Sequence, residues 1–246
     1  MQSLKNHPQD IHYLEDKKRN QKLETEKMSK KNELATESAN ALSTGALPDT
    51  IDASDIDIPR INVVQKTSDI TCRDGEPAPY GSLVLDKSIV LSQPETPIKV
   101  IPLIATKQWR EDIPYDSDDV PRIAGSEAEK NQLALDSEYN LLEFAEITFL
   151  FEGNDDDVEA FPLPLGKKNY AMGRINVAKD AYRQTFKRLA TFAVFNKKTP
   201  IHTRLWNLTS SAITRGKYSW FAPSLTITQD EPSEEVVSFV EGFINQ

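Results

Sequence analysis

The fold prediction starts from the stretch Leu141–Phe151, whose sequence is LLEFAEITFLF. Phe144, Ile147, Phe149 and Phe151 mark apolar positions, and the alternation at 147, 149 and 151 is the period of a strand that buries one face. A second run, Ile98–Ile104, is apolar and β-branched. It predicts another strand, with a bulge or break at Pro102. The two runs predict that the chain contains a β-sheet.

Further strands are predicted on both sides of these two runs. Upstream, residues 83–92 predict a hairpin of two short strands. Downstream, residues 158–165 predict the second arm of a hairpin with the 141–151 strand, and two prolines confine this arm to a sheet edge. Two later strands are predicted at 201–208 and 218–228.

Two helices complete the prediction. Residues 171–195 follow the 3.6-residue period of a long helix, with Lys179, Arg183 and Lys187 together on one face. A short C-terminal helix is predicted to begin after Ser233, which is a favoured N-cap residue. The predicted fold class is therefore α+β, with a small curved antiparallel sheet or β-barrel, one long helix and a short C-terminal helix.

Composition divides the chain into three parts. Residues 1–54 are polar and poor in large apolar side chains, which predicts a flexible arm. Residues 55–228 contain the predicted strands and the long helix, and an irregular acidic insertion interrupts them at 109–138. Residues 229–246 predict an acidic C-terminal helix or tail.

The charge is strongly segregated along the chain, although the net charge is only −9. Residues 61–160 carry 8 Lys and Arg against 21 Asp and Glu, a net charge of −13. Residues 161–228 carry 12 against 1, a net charge of +11, and residues 229–246 carry none against 5. A basic block of this size indicates a polyanionic partner.

The sequence lacks the motifs of common enzyme classes. Neither phosphate-binding glycine pattern occurs, and no nucleophile motif accompanies His202. Cys72 is the single cysteine, which excludes a disulfide within the chain and a zinc site with several cysteines. The aspartate runs at 116–119 and 155–157 match no calcium-loop pattern and favour turns. We therefore expect a protein that is not an enzyme and that binds no cofactor or metal.

The basic block also contains aromatic side chains, and single-stranded nucleic acid requires both types. Cations neutralise phosphates, and flat rings stack on unpaired bases. Arg204 and Trp206 share one face of a predicted strand, and Tyr218 and Trp220 share one face of the next. The candidate nucleic-acid-binding residues are Lys167, Lys168, Tyr170, Arg174, Arg204, Trp206, Arg215, Lys217, Tyr218 and Trp220. The tryptophans have a second interpretation as core residues, because large aromatic side chains are usually buried.

The order of these features resembles a known group of proteins. Residues 57–68, DIPRINVVQKTS, follow a polar arm, and a Gly-containing turn comes after them. A strand ending in VIPL at 100–103, a Trp109-centred insertion and the segment PLPL at 162–165 continue the series. Over residues 55–228 this order is similar to that of bacteriophage proteins that include single-stranded DNA-binding proteins with an OB-type barrel. The resemblance implies an OB-like barrel and single-stranded DNA as the partner.

The sequence thus favours a non-catalytic phage protein that coats or presents single-stranded DNA during replication or recombination. Its expected location is the cytoplasm of an infected bacterium. The alternative is a virion structural or assembly protein, in which the arm and the C-terminal helix contact neighbouring subunits. A homo-oligomer and protein partners of the acidic C-terminus are further expectations. No window approaches 18 consecutive apolar residues and the N-terminus has no apolar h-region, so neither a membrane span nor a secretory signal is expected.

Overall fold

The structure, a computed structural model, describes residues 57–114, 116–153 and 159–245. The predicted arm at 1–54 and most of the predicted turn at 153–157 lie outside the described residues. The strands are β1 (Ile61–Val63), β2 (Leu83–Leu85), β3 (Ile89–Ser92), β4 (Ile98–Glu111), β5 (Ile123–Ala124), β6 (Leu141–Glu152), β7 (Leu163–Leu165), β8 (Lys168–Ala178), β9 (Trp206–Arg215) and β10 (Tyr218–Ile227). The helices are α1 (Glu127–Asp136), α2 (Lys179–Gln184), α3 (Phe186–Phe195) and α4 (Glu234–Ile244), with a 3-10 helix at Ile201–Thr203.

The larger sheet is built around the long strands β4 and β6. They pair antiparallel along most of their length, with a register shift between Pro102 and Ile104. The bulge or break predicted at Pro102 is therefore confirmed. The strand order is β10-β9-β4-β6-β8-β7, and β5 pairs with the far end of β4. Every pair is antiparallel.

A second sheet, with the order β1-β2-β3, packs against the larger one. Ile61 and Leu85 of the smaller sheet share one buried cluster with Ile147 and Phe149 of β6. At Gly173 of β8, a Cβ atom would lie 2.8 Å from Ile61 and 3.0 Å from Leu85. The smaller sheet can approach β8 this closely because Gly173 has no side chain.

The larger sheet does not close into a barrel. β7 pairs only with the start of β8, so the rest of β8 forms one open edge, and β10 forms the other. The chain at 59–65 lies between these edges but makes isolated bonds. The backbone N–H of Arg174 donates to the Pro59 carbonyl (2.9 Å). The Gln65 side-chain amide donates to the Phe221 carbonyl (2.8 Å) and accepts from the Phe221 N–H (3.2 Å).

The predicted OB-like barrel is therefore wrong. The reason is that β1 pairs with β2 in the smaller sheet instead of continuing as a strand along β8. The result is a mostly β structure of two antiparallel sheets, with which only the broad α+β class agrees.

The predicted long helix at 171–195 is also wrong. Its first part belongs to β8, which pairs with β6, and its remainder is divided at Thr185 into α2 and α3. In β8 the residues Ala171, Ile175 and Val177 are buried, whereas Arg174 and Asn176, on either side of Ile175, are not. This is a strand period of two, which overlaps in sequence with the helical period of the residues that follow.

Two further strand predictions are wrong. Pro200 accepts a bond from Thr203 in a 3-10 turn (3.1 Å), so the predicted strand at 201–208 begins only at Trp206. β7 pairs with β8 and not with β6, because the turn at Gly166 (φ +65°) folds it back onto the following residues. The predicted hairpin at 83–92, the last strand and the C-terminal helix are confirmed as β2–β3, β10 and α4.

The C-terminal helix α4 packs against β4 and the 3-10 helix. Ser233 stands at its N-cap as predicted, and Val236, Val240 and Phe243 form its buried stripe. Within the described part of the chain, no helix has the length and apolar character needed to cross a membrane.

Residues 112–138 form what we call the acidic lobe. The prediction of an irregular insertion is wrong here, because the lobe contains β5 and α1. A small separate core of Trp109, Ala124 and Leu133 supports them. The lobe carries 8 Asp and Glu against 2 Lys and Arg, so its net charge is −6.

A buried carboxylate holds the acidic lobe to the end of β4. Glu111 is 4% exposed and accepts bonds from the Arg122 guanidinium (2.6 and 2.9 Å) and the Ser137 hydroxyl (2.5 Å). The bond from Arg122, followed by that from Ser137, lowers the pKa of Glu111 to about 2. Ionised Glu111 therefore stabilises the attachment of the lobe.

The contact between the two sheets can be tested at Gly173. Gly173→Ala should lower the free energy of unfolding by about 1–3 kcal/mol, because the new Cβ overpacks the contact with Ile61. The control is Gly242→Ala in α4, where a Cβ meets nothing within 4 Å. This substitution should raise the free energy of unfolding by about 0.5–1 kcal/mol. Urea unfolding measures both, and equal effects would contradict the tight contact.

The attachment of the acidic lobe can be tested by pH. The folded pKa of Glu111 lies below the ordinary value of 4.5, so its stabilisation is complete above that pH and is lost as the pH falls towards about 2. Glu111→Gln should lower the thermal midpoint at neutral pH and make it less sensitive to acid. Thermal unfolding over a pH series measures this, with exposed Glu138→Gln as the control. An acid profile in E111Q identical to that of the wild type would contradict the assignment.

Candidate functional site

A cleft of about 710 Å³ opens between the two free edges of the larger sheet. The end of β8 and helix α2 form one wall, and β10 with the end of β9 forms the other. Residues from the 60–65 segment line it between these walls. The cleft exists because this segment does not extend the ladder of either edge.

All but one of the charged side chains that line this cleft are cations. The exception is Asp180, which accepts a bond from Arg215 (2.6 Å) and pairs with Arg183 (3.8 Å). One carboxylate thus orients two guanidinium groups. It does not neutralise the cleft, and the remaining positive charge attracts anions. We call it the basic cleft, and its cations are Arg60, Arg174, Lys179, Arg183 and Arg215.

Arg174 has an unused hydrogen-bond donor in the wall of the basic cleft. Its guanidinium lies 3.8 Å from the carboxylate of Asp57, which is almost fully exposed. Its Nε is buried and has no hydrogen-bond partner among the described residues. Arginine side chains with free donors suit phosphate oxygens, because the N–H groups form charge-assisted hydrogen bonds.

Aromatic rings paired with cations stand at the β9–β10 turn beside the basic cleft. The Arg215 guanidinium lies 5.9 Å from the centre of the Trp220 ring, and Lys217 Nζ lies 5.4 Å from that of Tyr218. Tyr218 is 65% exposed, and Trp220 is half-buried and lines the cleft. Rings in this position leave surface on which an unpaired base can stack.

A third such pair lies next to this turn. Lys66 Nζ is 5.6 Å from the centre of the Tyr80 ring, and the Tyr80 hydroxyl donates to the Ser219 carbonyl (3.3 Å). Tyr80 also packs edge-to-face on Phe221, at 4.9 Å between ring centres. These bonds fix Tyr80 against the open edge of β10.

The structure brings together five of the ten predicted site residues. Arg174, Arg215 and Trp220 line the basic cleft, and Lys217 and Tyr218 form the adjoining turn. The other five lie elsewhere. They are Lys167, Lys168, Tyr170, Arg204 and Trp206.

Four of these five lie beside the acidic C-terminal segment. A depression of about 380 Å³ there is lined by three lysines and three glutamates, so its charge is balanced. Lys168 pairs with Glu152, and Arg204 pairs with Glu231 (2.8 Å). Burial, and then the charge of Glu152, raises the pKa of Tyr170. This side of the molecule lacks the excess of positive charge that the basic cleft has.

Trp206 lies in the hydrophobic core. It is 2% exposed, its Nε1 donates to the Ile201 carbonyl (3.1 Å), and its ring packs edge-to-face on Phe192 at 5.4 Å between centres. A base cannot stack on it in this position. The interpretation of this tryptophan as a core residue therefore agrees with the structure.

Three cations of the basic cleft are absent from the predicted set: Arg60, Lys179 and Arg183. Arg60 stands in the segment 57–68, which enters the sequence analysis only through the resemblance to phage proteins. The sequence does place Lys179 and Arg183 on one helix face. However, it assigns residues 171–178 to the same helix, and therefore does not predict that Arg174 of β8 and helix α2 form one wall of the basic cleft. The spacing of four residues between Lys179 and Arg183, within the basic block, is the sequence feature that indicates they could act together.

Comparison of the chain with family models, with curated proteins and with solved structures finds no match. Among the described residues, no group of three or more His, Cys, Asp or Glu side chains is placed to hold a metal ion. The geometry and charge of the basic cleft are therefore the basis on which a function can be proposed.

Proposed function

We propose that this chain is a non-catalytic single-stranded DNA-binding protein and that the basic cleft is its DNA site. The observation that carries the proposal is the meeting of five cations, one acid and cation-paired aromatic rings between two open strand edges. The cations neutralise phosphates, and Trp220 and Tyr218 stack on bases. The resemblance to phage proteins supports DNA as the polymer and a role in replication or recombination in an infected cell.

The aromatic part of the site favours single strands over duplex. Stacking requires the face of an unpaired base, whereas the bases of a duplex already stack on each other. The cationic part contributes affinity without sequence preference, since phosphates are common to every sequence. A site of this kind binds single strands broadly and loses affinity as salt rises.

The acidic parts of the chain limit where DNA can lie. Lys99 pairs with Asp230 (2.7 Å) and Arg204 with Glu231 (2.8 Å), so cations near the C-terminal segment already have carboxylate partners. Cations of the basic cleft have carboxylate partners too, but its lining has five cations and one acid, whereas the depression beside the C-terminal segment has three of each. The proposed DNA path therefore follows the basic cleft and the β9–β10 turn, and not the Lys167–Lys168 turn.

Salt dependence tests the electrostatic part of the proposal. If about four phosphates are neutralised, log K for a dT oligomer should fall against log salt with a slope of about −3. Arg60→Gln should reduce the size of this slope by about 0.7, because one contact is lost. Fluorescence anisotropy with a labelled dT oligomer and an equal-length duplex measures this.

The matched control is Lys167→Gln, which removes an exposed cation outside the basic cleft and should leave the slope unchanged. Absence of binding to the single strand, or tighter binding to duplex, would overturn the proposed function. A slope altered by K167Q and not by R60Q would move the site to the other side of the molecule.

The two tryptophans test the stacking part. Trp220→Ala should weaken dT binding by about tenfold while the protein stays folded, because one stacked base is lost. Trp206→Ala should instead lower the free energy of unfolding by about 3–5 kcal/mol, because Trp206 fills the core. Anisotropy and thermal unfolding of both variants separate the two effects. Full dT affinity in folded W220A would remove Trp220 from the site.

A further inference from the structure

A second groove begins where the basic cleft ends. It has a volume of about 530 Å³, lies between α3 and β10, and shares Arg183 with the basic cleft. Phe192, Leu225 and Ile227 give it an apolar lining. All of its charged lining residues are cations: Arg183, Lys187 and Arg188. We call it the α3 groove.

The α3 groove is a fixed feature of the fold. The Arg188 guanidinium donates to the Leu225 carbonyl (2.6 Å) and to the Ser224 hydroxyl (3.2 Å), which ties α3 to the open edge of β10. Lys187 is exposed at the rim. The groove is therefore held open with a basic rim and does not depend on a ligand to form.

Exposed apolar side chains continue from the α3 groove. Ile227 is 44% exposed, and Val194 and Phe195 are 61% and 81% exposed. Val194 and Phe195 lie three and four residues beyond Thr191, which lines the groove, so they share its side of α3. An apolar patch of this kind next to cations suits an acidic partner that carries apolar side chains.

The acidic lobe has the complementary surface. Val120, Ile123 and Leu135 are 84%, 60% and 82% exposed, and the lobe has a net charge of −6. The Arg122 guanidinium reaches the Asp136 carbonyl (3.4 Å), which brings the strand that carries Ile123 beside the end of α1. Of the nine large apolar side chains exposed among the described residues, six belong to the α3 groove patch or to this lobe.

The lining of the α3 groove suits aliphatic side chains better than nucleobases. Trp206 is 2% exposed, and the partly buried Phe192 ring already packs against it edge-to-face. Leu225 and Ile227 are aliphatic, and the fit is to side chains such as Leu135. Within the described residues both surfaces are exposed, and a second copy of the chain would supply each with a partner of complementary charge.

We propose that the acidic lobe of one copy of this chain docks into the α3 groove of the next copy. Every copy carries both surfaces, so the contact can repeat head-to-tail along a row of molecules. Because the α3 groove adjoins the basic cleft, docked copies would lie next to each other along a bound strand. The inference does not rest on the proposed function, since it concerns contacts between protein chains alone.

The test uses one variant of each surface in the full chain. Lys187→Glu reverses a rim charge of the groove, and Leu135→Ser removes an apolar side chain of the lobe. Both positions are exposed, so both variants should fold, which thermal unfolding checks. The controls are Lys167→Glu and Ile244→Ser, which make equivalent changes outside the two surfaces. Sedimentation velocity over a range of concentrations and salt measures association.

The wild type and both controls should associate at low salt and dissociate near 1 M salt, where the Debye length is only about 3 Å. K187E and L135S should each raise the dissociation constant by about tenfold or more and sediment as monomers. An equimolar mixture of K187E and L135S should form dimers and nothing larger, because the pair retains one intact lobe and one intact groove. A two-fold dimer in which each lobe enters the partner's groove would give only dimers in the wild type as well, whereas a head-to-tail row gives larger species.

Three results would overturn the proposal. The first is a wild type that stays monomeric at every concentration and salt. The second is an associating wild type with a K187E and L135S mixture that remains monomeric. The third is K187E that associates normally but binds the dT oligomer with a reduced salt slope, because the α3 groove would then belong to the DNA path. Loss of dT binding in every chain, with association unchanged, would overturn the proposed function and leave this inference intact.

Discussion

The two open edges of the larger sheet, β8 and β10, are held apart by a segment that bonds to each at only a few points. The Gln65 amide takes the place of a strand residue opposite Phe221, and the Pro59 carbonyl accepts one bond from β8. Since β1 pairs with β2, none of the described strands fills the gap. The cleft, its access to solvent and the side chains that reach it all follow from this arrangement.

An unpaired strand edge invites pairing with another chain, and β10 is protected against it. Gln65 occupies the bonding groups of Phe221, Arg188 occupies the carbonyl of Leu225, and Pro223 has no N–H to offer. The same side chains shape the basic cleft and the α3 groove. The side chains that protect the edge of β10 are therefore among those that form the two candidate binding surfaces.

The segregation of charge in the sequence becomes a separation of surfaces in the fold. The acidic C-terminal segment pairs with Lys99 and Arg204. The ion pair between Arg122 and Glu111, in contrast, attaches the acidic lobe to the end of β4. Asp180 lines the basic cleft and pairs with two arginines there, and Asp112 of the acidic lobe pairs with Lys179 (3.3 Å). Cations thus remain in excess in the lining of the cleft. An even distribution of the 29 basic and 38 acidic residues of the chain over the surface would not give this excess.

Local patterns were sufficient for the strands at 98–104 and 141–151, the bulge at Pro102, the hairpin at 83–92 and the C-terminal helix, because each depends on a period or a turn within a few residues. They failed at 171–178, where the small residues of a strand run directly into a helix. They also failed for Trp206, since burial depends on what packs over a residue and not on its own type. Five of the ten predicted site residues therefore lie away from the basic cleft, four of them beside the acidic C-terminal segment and Trp206 in the core.

By itself, the sequence determined the excess of cations in residues 161–228, the near absence of acids among them, and the alternation that makes the long strands. These are properties of composition and short spacing. Only the tertiary structure decided that Arg60 joins Arg174, Arg183 and Arg215 while Lys168 and Arg204 pair with glutamates. That choice depends on long-range strand register and on the failure of β1 to close the sheet, and neither is encoded in any short stretch of residues.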